Sequence, residues 1–67
     1  MRFSPERTKI LMAREQLTIA ALSRKAEIPA ITISKVLSGA RKPTLKTLGR
    51  LAHGLSVDVT EIVELEA

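Results

Sequence analysis

Lysine and arginine are the residues with chemistry to offer in this sequence, and they are unevenly placed. All 11 fall within residues 1–50, opposed there by Glu6, Glu15 and Glu27, which leaves that stretch at +8. Residues 51–67 hold Asp58, Glu61, Glu64 and Glu66 with no Lys or Arg, so that end carries −4 and the whole chain +4. Ammonium and guanidinium groups bind phosphate oxygens and the O6 and N7 acceptors of guanine, so this division favours a polyanionic partner. By charge alone, a plain solvated surface reads the same way. Catalytic chemistry finds little support. There is no Cys and no Tyr, the single His53 has no carboxylate at catalytic spacing, and no glycine-rich phosphate loop is present. One histidine without cysteine also makes a structural zinc site implausible. The expectation is a binding protein and not an enzyme, with no cofactor and no metal.

Positioning those cations falls to a small body. A chain of 67 residues buries only about 60% of the surface its unfolded form exposes. With 45% hydrophobic residues and Phe3 as the one aromatic, its core must be aliphatic. No apolar run nears the ~18 residues of a membrane span, Met1-Arg2-Phe3-Ser4 opens no signal peptide, and the lack of cysteine fits a reducing cytoplasm. Helix punctuation recurs at short intervals. Ser4-Pro5-Glu6 supplies a cap, a proline for the first helical position and an acid for the first turn. It predicts a helix over about 5–16 with Thr8, Leu11, Met12 and Glu15 along one side. Thr18 caps a second helix, about 18–26, which Glu27-Ile28-Pro29 interrupts because the residue before a proline avoids helical backbone. Pro29 then opens a third, about 29–38, closed by Gly39 in a left-handed conformation. Thr44 caps a fourth, about 44–55, with Leu45, Leu48, Leu51, Ala52 and Leu55 at helical spacing. Asp58 and Glu61 form a capping box around a fifth, about 59–65, where Val57 staples onto Ile62. Gly49 and Gly54 each cost the fourth helix about 1 kcal/mol relative to Ala, and close helix packing offers a reason for Gly49 only. No strand alternation, repeat or linker is present.

The informative stretch is residues 17–39, LTIAALSRKAEIPAITISKVLSG. Two short helices meet at a turn of about three residues, with Leu22, Ala26, Ile28, Ile33 and Val36 facing inward and Ala21, Ala26 or Ser34 small enough for a close crossing. Such a corner leaves the second helix projecting, with its first turns free to meet base edges; an ordinary helical hairpin has the same pattern. The following GARKPTLKTLGRLAHGLSVDVTEIV, residues 39–63, adds to it. Through Thr32-Ile33-Ser34-Lys35, Gly39, Arg41, Pro43, Thr47-Leu48, Leu51-Ala52, Leu55, Val57 and the Glu61-Ile62-Val63 ending, the chain resembles the Cro and phage-repressor helix-turn-helix family, also called lambda-repressor-like. The resemblance runs in family order from about Thr8 to Val63. It implies a compact, all-α, five-helix DNA-binding domain over residues 1–67, with the helix-turn-helix at its second and third helices.

Carried over position by position, the resemblance assigns base reading to Pro29, Ala30, Ile31, Thr32, Ser34 and Lys35. Among these Lys35 is the one long donor, suited to guanine, while Ala30 and Ile31 can touch thymine methyls. Phosphate contacts fall to Thr18 with the free N–H groups that open its helix, and to Arg41, Lys42, Thr44 and Lys46. Family members usually bind double-stranded DNA as twofold dimers, so a homodimer is expected, with Leu55, Val57, Val59, Val63 and Leu65 as its interface; packing within one chain is the alternative use of those residues. The implied role is a sequence-specific transcriptional regulator, a repressor, in the cytoplasm of a bacterium or phage-infected cell, with no membrane association and no small-molecule effector evident. Three positions depart from the family pattern. Ile19 stands where a phosphate-binding glutamine is common, and Glu27 where many members have glycine. Met12 and Leu37 replace a buried arginine–glutamate pair, and replacing both partners together by packed apolar groups is tolerated where losing one is not. Met12 and Leu37 are therefore expected to touch. Apolar Ile10, Ile19 and Ile31 at expected surface positions support a second reading, a protein-interaction module of antitoxin-like or coactivator-like kind on the same fold. RNA is a weaker third, since only Phe3 is available to stack on bases.

Overall fold

Short polar side chains start all but one of the helical elements. In the computed structural model, which describes residues 1–65, the order is β1 (Arg2–Phe3), α1 (Pro5–Arg14), α2 (Ile19–Ala26), α3 (Ala30–Ser38), α4 (Leu45–Gly54), a 3-10 turn (Val59–Glu61) and β2 (Val63–Glu64). Ser4 Oγ accepts from the Arg7 N–H at 3.2 Å, Thr18 Oγ1 from Ala21 at 3.1 Å and Thr44 Oγ1 from Thr47 at 3.2 Å. Each bond satisfies a donor that the first helical turn leaves without a backbone partner. Asp58 caps the 3-10 turn. The Thr60 backbone N–H and then its hydroxyl, both at 2.9 Å, hold the Asp58 carboxyl below its ordinary pKa. That cap is complete above the unfolded carboxyl's pKa and is lost as pH falls through the lower folded value.

The four helices end alike, each with one left-handed residue followed by an N–H that reaches back five positions. The left-handed residues are Gln16, Glu27, Gly39 and Ser56. The closing bonds run from Leu17 to Met12 O (2.8 Å), Ile28 to Ser23 O (3.2 Å), Ala40 to Lys35 O (3.0 Å) and Val57 to Ala52 O (3.0 Å). This is the Schellman arrangement, in which glycine is the usual left-handed residue; here only Gly39 is one. These stops trim the expected helices, so that Glu15 caps α1, Leu55 caps α4 and Pro29 stands as the N-cap of α3 and not inside it.

The core is aliphatic. Leu22, Ile33, Leu51 and Ile62 are fully buried, with α2 packed chiefly on α4 and α3, α1 on α3, and the 3-10 turn on α4. Two expectations fail here. Leu45 is 75% exposed, because it opens α4 beyond the edge of the core. The fifth helix over 59–65 is absent: the 3-10 turn stops at Glu61 and the chain runs extended, pairing antiparallel with β1 through Phe3↔Val63 and Arg2↔Glu64. A seven-residue helix is below the length that sustains itself, and Val59, Thr60, Ile62 and Val63 are β-branched. The N-terminal strand offers their backbone partners instead, and the Ser4 N–H adds a 2.8 Å bond to Ile62 O. The fold is therefore mostly helical, with four α-helices and a two-stranded sheet among the described residues.

Gly54 explains itself where Gly49 does not, the reverse of the expectation. A Cβ on Gly54 would lie 2.8 Å from Ala26 Cβ and 3.0 Å from both Ala26 N and Leu22 Cδ1, so α2 and α4 meet here with no room for a side chain. A Cβ on Gly49 would meet nothing within 4 Å. The same substitution should thus act with opposite sign. Gly54→Ala is expected to destabilise by about 1–3 kcal/mol through overpacking, and Gly49→Ala to stabilise by about 1 kcal/mol through helix propensity. Urea unfolding followed by far-UV circular dichroism measures both, and a shared sign would refute the packing described.

Candidate nucleic-acid interface

The corner between α2 and α3 is built from Glu27, Ile28 and Pro29. Glu27 turns the chain with φ 58° and ψ 44°, and Pro29, at φ −56° and ψ 138°, redirects it into α3. Buried Ile28 pins the corner to the core. Ser23 clasps it from both sides, since its carbonyl accepts from the Ile28 N–H and its hydroxyl donates to the Ile28 carbonyl. Pro29 O accepts from Thr32 N at 3.0 Å and Ile33 N at 3.2 Å, which starts α3 without a side-chain cap. From α4, Arg50 Nη1 donates to Glu27 O at 3.2 Å and sets a cation at the C-terminal end of α2. No sequence signal pointed to Ser23 or Arg50 as corner residues, because both bonds go to backbone carbonyls whose direction only the fold defines.

Beyond the corner, α3 is sharply two-sided. Ile33, Val36 and Leu37 are buried. Pro29, Ala30, Ile31, Ser34 and Lys35 are exposed, and Thr32 is half-buried. The leading edge of α3 is thus open to solvent, with Ile31 63% exposed. Arg41 and Lys42 follow in the loop after Gly39, exposed and held to the same helix, because Lys35 O accepts from Ala40 N and, at 3.3 Å, from Arg41 N. Together with Phe3, Val36 and Leu48 they line a groove of about 420 Å³. Thr18, Thr44 and Lys46 are exposed at the starts of α2 and α4. The Thr44 hydroxyl donates to Thr47 Oγ1 at 3.1 Å, so its proton is engaged within its own cap.

Ile19 is half-buried, packed against the core. Met12 and Leu37 are both buried on the packed pair α1 and α3, and no buried side-chain polar atom among the described residues lacks a partner. The expected dimer residues differ in burial. Leu55 and Val63 are buried in the core, Val57 and Val59 are half-buried against it, and only Leu65 is open, 75% exposed. A domain this small needs the buried ones for its own interior, and over residues 59–65 no α-helix gathers them. His53 is exposed on α4. Among the described residues no group of three His, Cys, Asp or Glu could hold a metal ion, and no helix is long and apolar enough to cross a membrane.

A family model described as helix-turn-helix matches residues 9–62, most of the chain and all of the α2–turn–α3 corner. No curated protein and no solved structure matches the chain.

The corner yields a stability test. A side chain at left-handed backbone costs roughly 1–2 kcal/mol that glycine does not incur, and Arg50 bonds the Glu27 backbone, which glycine keeps. Glu27→Gly is therefore expected to stabilise by about 1 kcal/mol, raising Tm by about 4–8 °C. An unchanged or lower midpoint in thermal unfolding would contradict the turn geometry.

Proposed function

The chain belongs to the helix-turn-helix family of the Cro and phage-repressor type, a DNA-binding regulatory class, and on that premise we propose that it is a sequence-specific repressor that lays α3 in the major groove of duplex DNA. One observation carries the reading: the leading edge of α3 is open, and the cationic loop bearing Arg41 and Lys42 is tied to that helix through Lys35 O. In this arrangement Pro29, Ala30, Ile31, Thr32, Ser34 and Lys35 face base edges. Lys35 donates to guanine O6 and N7, and Thr18, Arg41, Lys42 and Lys46 hold phosphates, joined by Thr44 once its hydroxyl turns away from Thr47. Two copies acting as a twofold dimer would set their α3 helices about 34 Å apart, one turn of DNA. Val57, Val59 and Leu65 remain as the accessible part of the interface expected from sequence. The setting proposed is the cytoplasm of a bacterium or phage-infected cell.

A protein-interaction module is the second reading, favoured by Ile10 at 59% exposure together with Leu45. A gel shift against random duplexes at low salt separates the two, since a partner binder without DNA affinity leaves the duplex unshifted. Selection of bound duplexes from a random pool then gives the site. On that site, about eight phosphate contacts from a dimer would make log K fall against log salt with slope near −7, and a slope near zero would show that the basic surface does not meet DNA. Lys35→Ala should relax preference at one base pair by about 1–3 kcal/mol, whereas Lys42→Ala should weaken all sequences alike. Equal losses on every sequence for both variants would refute this division of roles.

A further inference from the structure

The exposed face of α3 lacks the side chains that make most direct base contacts. Pro29, Ala30, Ile31, Ser34 and Lys35 include no Arg, Asn or Gln, which leaves Lys35 as the one side chain among them suited to a bidentate bond with a base edge. Ile31, at the second position of α3, has no structural task. The inward face is already filled by Ile33, Val36 and Leu37, and β-branched Ile gains nothing as a helix former when left in water. Ser34 and Lys35 lie three and four residues on, so the three side chains form one strip, apolar at the leading end and cationic behind.

Resting on the reading of α3 as the groove-entering helix, we infer that Ile31 reads the C5-methyl group of a pyrimidine, so that the preferred sites carry thymine or 5-methylcytosine at that position. A C5-methyl is the apolar feature that the major groove displays, and an aliphatic side chain gains by covering it. Ile31 forms no hydrogen bond and cannot tell the O4 of thymine from the N4 amino group of 5-methylcytosine. Ser34, both donor and acceptor, accommodates either. Four residues of helix rise about 6 Å, close to two base-pair steps of ~3.4 Å, which places the Lys35 guanine one or two steps from the methyl. A TG step and a methylated CG step present that same pair of features, and an unmethylated CG step lacks one of them.

Deoxyuridine removes the methyl and nothing else. On a selected duplex, replacing thymines one at a time with deoxyuridine should weaken binding about fourfold at one or two positions, the worth of one buried methyl. At such a position 5-methylcytosine paired with guanine should restore most of the affinity, and unmodified cytosine should not. Ile31→Ala, whose side chain is exposed and whose folding circular dichroism checks, should abolish the difference between thymine and uracil there. Wild-type protein that binds duplex yet is indifferent to every uracil overturns methyl reading while leaving the DNA-binding proposal intact. An Ile31→Ala variant that keeps the full thymine preference overturns it as well. Failure to bind any duplex at low salt overturns both.

Discussion

Everything that aims α3 outward depends on the place where α2 and α4 touch with no side chain between them. Gly54 ends α4 against Ala26 and Leu22, and Ala26 is the last residue of α2, directly before the corner. A methyl group there would push the end of α2 away and tilt the corner with it. One turn earlier on α4, Arg50 reaches the Glu27 carbonyl. α4 therefore acts as a brace: close packing fixes its distance from α2, and a hydrogen bond fixes its register. Interiors at organic-crystal density transmit such a fit to neighbouring elements, because side chains in contact have nowhere to yield.

The brace matters because the corner is made without the usual chemistry. Gln16, Glu27 and Ser56 occupy left-handed backbone that glycine would adopt without steric cost. Tertiary packing over-determines these turns: Ile28 is buried and doubly bonded to Ser23, and Leu17 and Val57 each close a helix with a bond of 3.0 Å or shorter. Local strain is tolerated where the surroundings leave no alternative.

Legibility in the sequence followed the range of the forces involved. Caps at Ser4, Thr18, Thr44 and Asp58, the stop at Gly39, and the inward set of Leu22, Ala26, Ile28, Ile33 and Val36 could be read, since each rests on neighbours within a turn of helix. The ends of α1 and α4 could be placed to within about two residues, but the left-handed backbone at Gln16 and Ser56 could not, because neither residue announces positive φ. The end strands escaped for a stronger reason: Val63 finds its partner in Phe3, at the far end of the chain, and a two-residue strand has too little alternation to register. The same long-range pairing holds Val63, which is buried. The two glycines of α4 could be told apart only once Ala26 had a position in space.

That end-to-end pairing also shapes the order of assembly. Phe3 and Val63 enclose nearly the whole chain, and the entropy of closing a loop rises with its length, whereas the contacts of α2 with α3 close a loop of a few residues. The helical corner should thus condense early and the sheet arrive late, after the body of the domain is in place. In the folded protein the same pair becomes the natural point of fraying, held by a few backbone bonds at two short segments. When it opens it releases Ile62 and Val63, both withdrawn from water in the closed form, and offers β-branched edges to any neighbouring chain. The two-stranded sheet, whose Phe3 lines one groove with Val36 of α3, is therefore where the molecule's resistance to aggregation is decided.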